Sequence, residues 1–332
     1  MKIDAGRMGG IRQRPVALVA GFIRIFAGAM KKTVATPRQE AARKTRGIAY
    51  ALISSATFGL IPLFTVPILS AGTMSGPSIL FYRFGLATIL IGLIGAMRGK
   101  SFRINFRQGT KLVVLGWFYA ATSMWLLESY SMIPSGVATT IHFLYPVLVT
   151  LIMVTFYHEP KSIWIFGASA VSIAGVALLN WTGGAVSYEG IATALLTVVT
   201  YSIYIVGVNK SGIGRMDPIP LTFYILLAGA LMFATHAEMT TGIELVRDGR
   251  TAFNLLVLAL VSTVISDLTL VMAVERVGST IVSVLGSLEP LVAVLVGVFW
   301  FSEPFGWKGA LGLSLIIGSV VVVILQTEKR RK

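Results

Sequence analysis

Ten blocks of apolar residues, parted by short polar intervals, organise this chain. They lie at about 48–69, 76–97, 110–131, 134–157, 162–180, 188–208, 218–237, 252–274, 279–301 and 306–326. Blocks of this size match the ~20 residues that a helix needs to cross a bilayer. They far exceed the strands of a barrel, and every backbone group at that depth must find an internal partner, so the pattern predicts spanning helices. Turn-forming residues mark the block ends: Ser75-Gly76-Pro77, Ile133-Pro134, Glu159-Pro160, Gly183-Gly184, Asp217-Pro218 and Glu303-Pro304. Proline at a helix start costs nothing, because the N–H it lacks has no helical partner there.

Composition agrees with the pattern. The 332 residues are 55% hydrophobic and 13% charged, with mean hydropathy +0.81, whereas soluble domains carry about a quarter charged residues. The net charge of +14 would suit nucleic acid if it covered one face. Here Lys and Arg gather between and beyond the apolar blocks, so no nucleic-acid partner is expected. The chain has no Cys, which removes disulfides, thiolate catalysis and Cys-bound metals.

The blocks repeat. Tyr145-Pro146 followed by Glu159-Pro160 returns as Glu289-Pro290 followed by Glu303-Pro304, shifted by 144 positions. Gly47-Ile48-Ala49-Tyr50-Ala51-Leu52 returns as Gly190-Ile191-Ala192-Thr193-Ala194-Leu195, shifted by 143. With the N-terminus placed inside the cell, 24 Lys and Arg fall on the inner side and 3 on the outer, Arg83 remaining within the membrane. That bias predicts both ends cytoplasmic in the inner membrane and an even number of crossings. Five helices per copy then invert the second copy against the first, an arrangement typical of transporters with their site at the seam. The expected organisation is a basic extension at 1–46, a first repeat at 47–181, a second at 182–326 and a basic tail at 327–332. Residues 16–30 are too short and too broken by Arg24 to span. The basic stretch Lys31 to Arg46 argues against a cleaved leader; an interfacial helix remains open, and Met30 as the natural start is the preferred reading.

The run Pro146 to Glu159-Pro160, then Gly167 and Gly175, resembles the EamA repeat of the drug/metabolite transporter superfamily. So does Leu288-Glu289-Pro290-Leu291 through Phe301-Ser302-Glu303-Pro304 to Gly312 and Gly318, and Arg83-Phe84 with Ala87 is similar to the family's second helix. The resemblance covers about residues 47–326. It implies an all-α membrane protein of ten helices in two inverted repeats, a central cavity and alternating access, with amino acids, other metabolites, nucleotide sugars or toxic compounds as cargo.

Charges at membrane depth are costly and tend to be functional. Glu289 lies mid-segment before Pro290, and Tyr145 holds the matching place before Pro146, so the pair is expected to face across the seam. Glu289 would take a cationic group or a coupling proton, and Tyr145 would stack on or hydrogen-bond the cargo. Proline disturbs the helical bonding one turn back, and Leu285 and Ile141 are expected to offer free carbonyls. Asp267 suits a proton carrier or a hydrogen-bonded structural role equally. His142, one turn before Tyr145, is a titratable neighbour or a merely satisfied core histidine. Trp117, Trp125, Tyr201 and Tyr204 could line an aromatic wall for planar or cationic groups. Arg83 and Glu128 read as a structural ion pair or outer gate. Glu159 and Glu303, before Pro160 and Pro304, read as fold determinants near helix N-termini, and the small residues Gly167, Ala168, Gly175, Gly309, Gly312 and Gly318 as sites of close helix approach.

The leading expectation is a secondary transporter of a small polar or amphipathic metabolite, an amino acid or amine, with no cofactor. Its partners would be that substrate and membrane lipid, with a homodimer left open. No GxxxxGK[ST] run is present to drive it with ATP. Two other readings stand beside it: a flippase for a lipid-linked sugar, and a membrane-embedded lipid-modifying enzyme. The latter lacks converging groups, since His142, His158 and His236 are far apart in sequence.

Overall fold

The computed structural model describes residues 37–133, 138, 141–159, 162–179, 187–300 and 306–329. The N-terminal block to residue 36, Pro134, Pro160, Lys161, the Gly183-Gly184 pair, Glu303, Pro304 and the last three residues lie outside them. The chain divides into Met1–Arg43, of which residues 37–43 are described and helical, and Lys44–Lys332.

Among the described residues every regular element is a helix. In order they are α1 (Pro37–Phe58), α2 (Ile61–Ser70), α3 (Gly76–Met97), α4 (Phe106–Met132), α5 (Tyr145–Phe156), α6 (Ile163–Leu179) and α7 (Tyr188–Lys210). A short 3-10 turn (Ile213–Arg215) leads to α8 (Pro218–Thr240), α9 (Gly249–Ala259), a π-turn (Leu260–Ile265), α10 (Ser266–Val277), α11 (Ser279–Leu285), α12 (Leu288–Trp300) and α13 (Trp307–Lys329). Seven stretches are long and apolar enough to cross a membrane: Gln39–Leu69, Gly76–Met97, Phe106–Ser129, Tyr188–Lys210, Pro218–Thr240, Gly249–Val277 and Ser279–Trp300. Within the fourth, fifth and tenth blocks the described helices are shorter but apolar.

Local chemistry sets the helix starts. Asn105 and Gln108 form a reciprocal capping box at α4, Ser187 caps α7, and Asp248 accepts from the Thr251 N–H at α9. Asp217 caps α8 ahead of Pro218 and pairs with Lys100 at 2.6 Å. Gly278, at φ 85°, makes the one-residue turn between α10 and α11, a conformation an L side chain resists.

The duplication is visible in the packing. Helices at equivalent positions contact each other, α3 against α8 and α6 against α13. The second contact is close because a Cβ on Gly175 would stand 2.7 Å from the Gly312 carbonyl oxygen. Gly167 and Gly318, expected to serve the same purpose, would meet nothing within 4 Å. Large apolar side chains such as Ile89, Leu93, Trp117, Leu231, Phe299 and Trp300 point outward. For helices of this length, that outer belt is a surface for lipid.

Two asymmetries separate the copies. The first segment of the first repeat breaks at Gly59-Leu60, whereas its counterpart α7 runs unbroken. The π-turn interrupts the second repeat's third segment, whereas its counterpart α4 is regular.

Candidate functional site

Both proline-bearing segments are broken where the sequence repeats. In the second copy α11 ends at Leu285, and Gly286-Ser287 turn before α12 restarts at Leu288. The Glu289 N–H bonds the Gly286 carbonyl at 2.9 Å. This shift strips Leu285 of its helical donor; the Ser55 hydroxyl stands 3.2 Å from that carbonyl and shares its one hydrogen with the Ala51 carbonyl at 2.8 Å. The Leu285 carbonyl has therefore lost its helical donor, as expected, and is only partly satisfied by α1. In the first copy Phe143-Leu144 turn before α5, and the Ile141 carbonyl is not free, since the Leu144 N–H occupies it at 3.0 Å. Pro146 and Pro290 are buried in the first turns after these breaks.

The two breaks meet. α11 packs on α5, and the Tyr145 hydroxyl rests against Gly286, leaving no room there for a side chain. Glu289 is half-buried and lies within electrostatic reach of Tyr145, Tyr201 and Arg83. Its own carbonyl sits so near Gly59 that a Cβ there would approach to 2.5 Å. The break in the first segment thus faces the break in the ninth.

From Tyr145 an aromatic ladder crosses the seam. Tyr145 meets Tyr201 edge-on at 4.7 Å, Tyr201 lies 5.9 Å from Tyr204, and Tyr204 stacks on Tyr119 at 4.8 Å. Phe84 continues from Tyr119 to Phe233. Asp267 lies at the Tyr119–Tyr204 end and Glu289 at the Tyr145–Tyr201 end. Tyr119 was missed by sequence reasoning because nothing around it stands out; its place three residues from Thr122 on α4 gains meaning only once α4 packs on α7.

His142 is buried beside this ladder, 5.3 Å from Tyr145 and 5.4 Å from Tyr201. Its Nδ1 stands 2.9 Å from the Thr197 hydroxyl. That hydroxyl gives its hydrogen to the Ala194 carbonyl, so His142 must be the donor, with the proton on Nδ1.

Other expected members fall elsewhere. Trp117 is 58% exposed on the outer surface of α4 and does not line the seam; Trp125 is half-buried on the same helix. Arg83 is buried and Glu128 exposed, and the expected ion pair gives way to a different arrangement. Arg83 Nε donates to the Thr263 hydroxyl at 2.9 Å and Nη2 to the Ser262 carbonyl at 3.3 Å, both within the π-turn. Glu159 accepts from the Thr280 hydroxyl at 3.0 Å and faces Lys210 at 3.8 Å. It ties the first repeat to two helices of the second.

The remaining ties divide by face. On the Lys-rich side Lys100 meets Asp217, Lys111 bonds the Ser211 carbonyl, and Arg276 lies over the Tyr50 ring. On the opposite side Glu244 accepts from the Ser75 N–H, and its own N–H donates to the Ser78 hydroxyl at 3.1 Å. That side also holds a cavity of about 450 Å³ lined by Pro67, Ile68, Asp248, Arg250, Thr251 and Asn254. The bond from Ser75 holds the Glu244 carboxyl below its ordinary value of 4.5.

Comparison with known proteins shows the family. The uncharacterized transporter YxxF of Bacillus subtilis (strain 168) is 22% identical over 308 residues, covering 88% of this chain and 94% of that protein. A solved crystal structure at 17% identity superposes with a TM-score of 0.75 over 87% of this chain and 100% of its own, a likeness of fold. The EamA-like transporter family matches twice, over residues 45–181 and 189–325. The two copies legible in the apolar pattern are these two matches, and the chain is a multi-pass membrane transporter of the EamA-like transporter family.

Proposed function

We propose that the chain crosses the inner membrane ten times, as two inverted five-helix repeats at 47–181 and 182–326 with both ends in the cytoplasm. It moves a small amine or amino-acid metabolite by alternating access, coupled to protons. The cargo sits at the seam, against the tyrosine ladder and Glu289. A single observation carries this reading: Tyr145 and Glu289, equivalent under the repeat, both stand at broken helices, and the breaks face each other. Broken helices at a repeat interface free backbone groups where a cavity can use them. A half-buried carboxylate there needs a cationic partner, and the ring faces offer a second attraction to it. The ties on the two membrane faces, Glu159 with Thr280 and Lys210 on one and Glu244 with Ser75 on the other, are contacts that must open in turn.

The test is uptake into proteoliposomes across a panel of amines and amino acids, with and without a proton gradient. Glu289→Gln removes the charge and keeps the shape. It should lower flux roughly tenfold, the scale of a coupling free energy of about 1–3 kcal/mol, and remove the response to the gradient. Flux by Glu289→Gln equal to that of the unaltered protein at every gradient would contradict the assignment.

A further inference from the structure

The π-turn Leu260–Ile265 leads directly into Asp267. An i→i+5 turn holds one residue more than an α-turn, so everything after it is rotated by about 100° relative to an uninterrupted helix. The extra residue also leaves a carbonyl without its α-helical donor. Here the Ser266 N–H goes to the Thr263 carbonyl, and Arg83 supplies the Ser262 carbonyl instead. The Thr263 hydroxyl accepts from Arg83 Nε while donating to the Leu258 carbonyl, five residues back, at 3.1 Å. Both contacts tie the arginine to the irregular turn, and neither would be made in that form by a regular helix.

What the rotation presents is a group of buried polar atoms that close no hydrogen bond. Asp267 is 1% exposed, and neither carboxylate oxygen has a hydrogen-bond partner; the Ser262 and Tyr119 hydroxyls, also buried, have none either. Ser262 and Asp267 are five apart, one π-turn, and so share a face. The Tyr119 hydroxyl faces Asp267 without closing to hydrogen-bond geometry, and Arg83 acts on the carboxylate as a nearby positive charge; the Tyr119 ring is stacked on Tyr204. Buried polar groups left without hydrogen bonds destabilise the site, so such a cluster is suited to a ligand that supplies donors.

We propose that Asp267, Ser262 and Tyr119 form a second polar subsite, distinct from Glu289, that receives a primary ammonium group, and that Arg83 positions it by pinning the π-turn. The donor set decides the ligand. Two carboxylate oxygens and two hydroxyl oxygens accept, and Arg83 has committed Nε and Nη2 to the turn. An ammonium brings three donors and a positive charge, and the Tyr119 and Tyr204 rings favour a cation beside them. An anion would meet Asp267's like charge, and the one nearby cation, Arg83, already gives Nε and Nη2 to the turn. This rests on the transporter reading above and narrows its cargo to amines whose apolar body lies along the tyrosine ladder.

Carbodiimide labelling tests it in the purified full chain, read residue by residue by mass spectrometry at one fixed pH. The reagent's central carbon bonds a carboxyl oxygen while the acid proton moves to its nitrogen, so a reachable, unpartnered carboxyl gains the reagent's mass. Asp267 should label, and 2-phenylethylammonium should protect it, whereas 2-phenylethanol or sodium at equal concentration should not. Thr263→Val, which takes the acceptor from Arg83 and leaves its charge, should lower labelling at Asp267 about tenfold relative to Glu289 in the same sample, since displaced groups lose reactivity steeply. Arg83→Lys, which keeps the charge but loses the fork, should do the same and replaces Thr263→Val if that variant aggregates. An unlabelled Asp267, or protection by the alcohol or sodium as well as by the amine, overturns the ammonium subsite. Equal labelling in a folded variant overturns the positioning role. Absence of flux for every panel compound in proteoliposomes would sink the transporter reading and leave this labelling pattern standing.

Discussion

Glu244 carries a pH dependence whose sign follows from its surroundings. The Ser75 backbone N–H and hydroxyl stabilise its charged form and hold the carboxyl below 4.5. Its contribution to stability is therefore complete above 4.5, the unfolded value, and is lost as pH falls through the lower folded one. Thermal unfolding in detergent, followed downward from neutral pH, should show this part of the acid destabilisation, and Glu244→Gln should remove it. An unchanged acid limb in that variant would mean that the Ser75 contact does not form. At this scale the sequence was informative where a residue was unusual for its surroundings: Glu289, Asp267 and Arg83 stand out as charges in apolar blocks. It was silent where meaning came from a partner. Opposite charge at similar depth suggests Glu128 as the partner of Arg83, whereas its contacts are a hydroxyl and a carbonyl in a turn that no motif announces. The ring of Trp117 makes it a candidate for the aromatic lining, whereas its helical position turns it outward.

Among the elements, α6 and α13 offer the cleanest test of packing. Their backbones approach at Gly175 and Gly312, and the groove has no space for a branched side chain. Gly175→Val should push the helices apart and cost about 1–3 kcal/mol, the usual penalty of overpacking, read as a lowered midpoint of thermal unfolding. Gly167→Val, at a position with nothing within 4 Å, is the control and should leave the midpoint in place. Equal effects at both positions would deny the close approach. The helices themselves were legible because apolar length is a strong signal. Their breaks were half legible: Pro146 and Pro290 marked two of them, but the π-turn lies in Leu260–Ile265, where neither Gly nor Pro occurs. Its cause is tertiary, a carbonyl that Arg83 is present to satisfy.

For the whole molecule, the duplication was the most readable feature, because two motifs recur at almost the same shift and the family matches fall on the same halves. What the shift could not show is how the copies differ. The break at Gly59-Leu60 and the π-turn each occur in one copy only, so the seam joins unlike halves and the polar groups at its two ends differ. The inversion of those halves is the claim on which the seam depends. The chain has no native Cys, so single cysteines report topology without background. Ser101→Cys and Thr241→Cys lie after the equivalent helices α3 and α8. Labelled with a membrane-impermeant maleimide in right-side-out and inverted vesicles, the first should react only from the cytoplasmic face and the second only from the opposite face. Reaction of both from one face would contradict the inverted arrangement and the binding seam built on it.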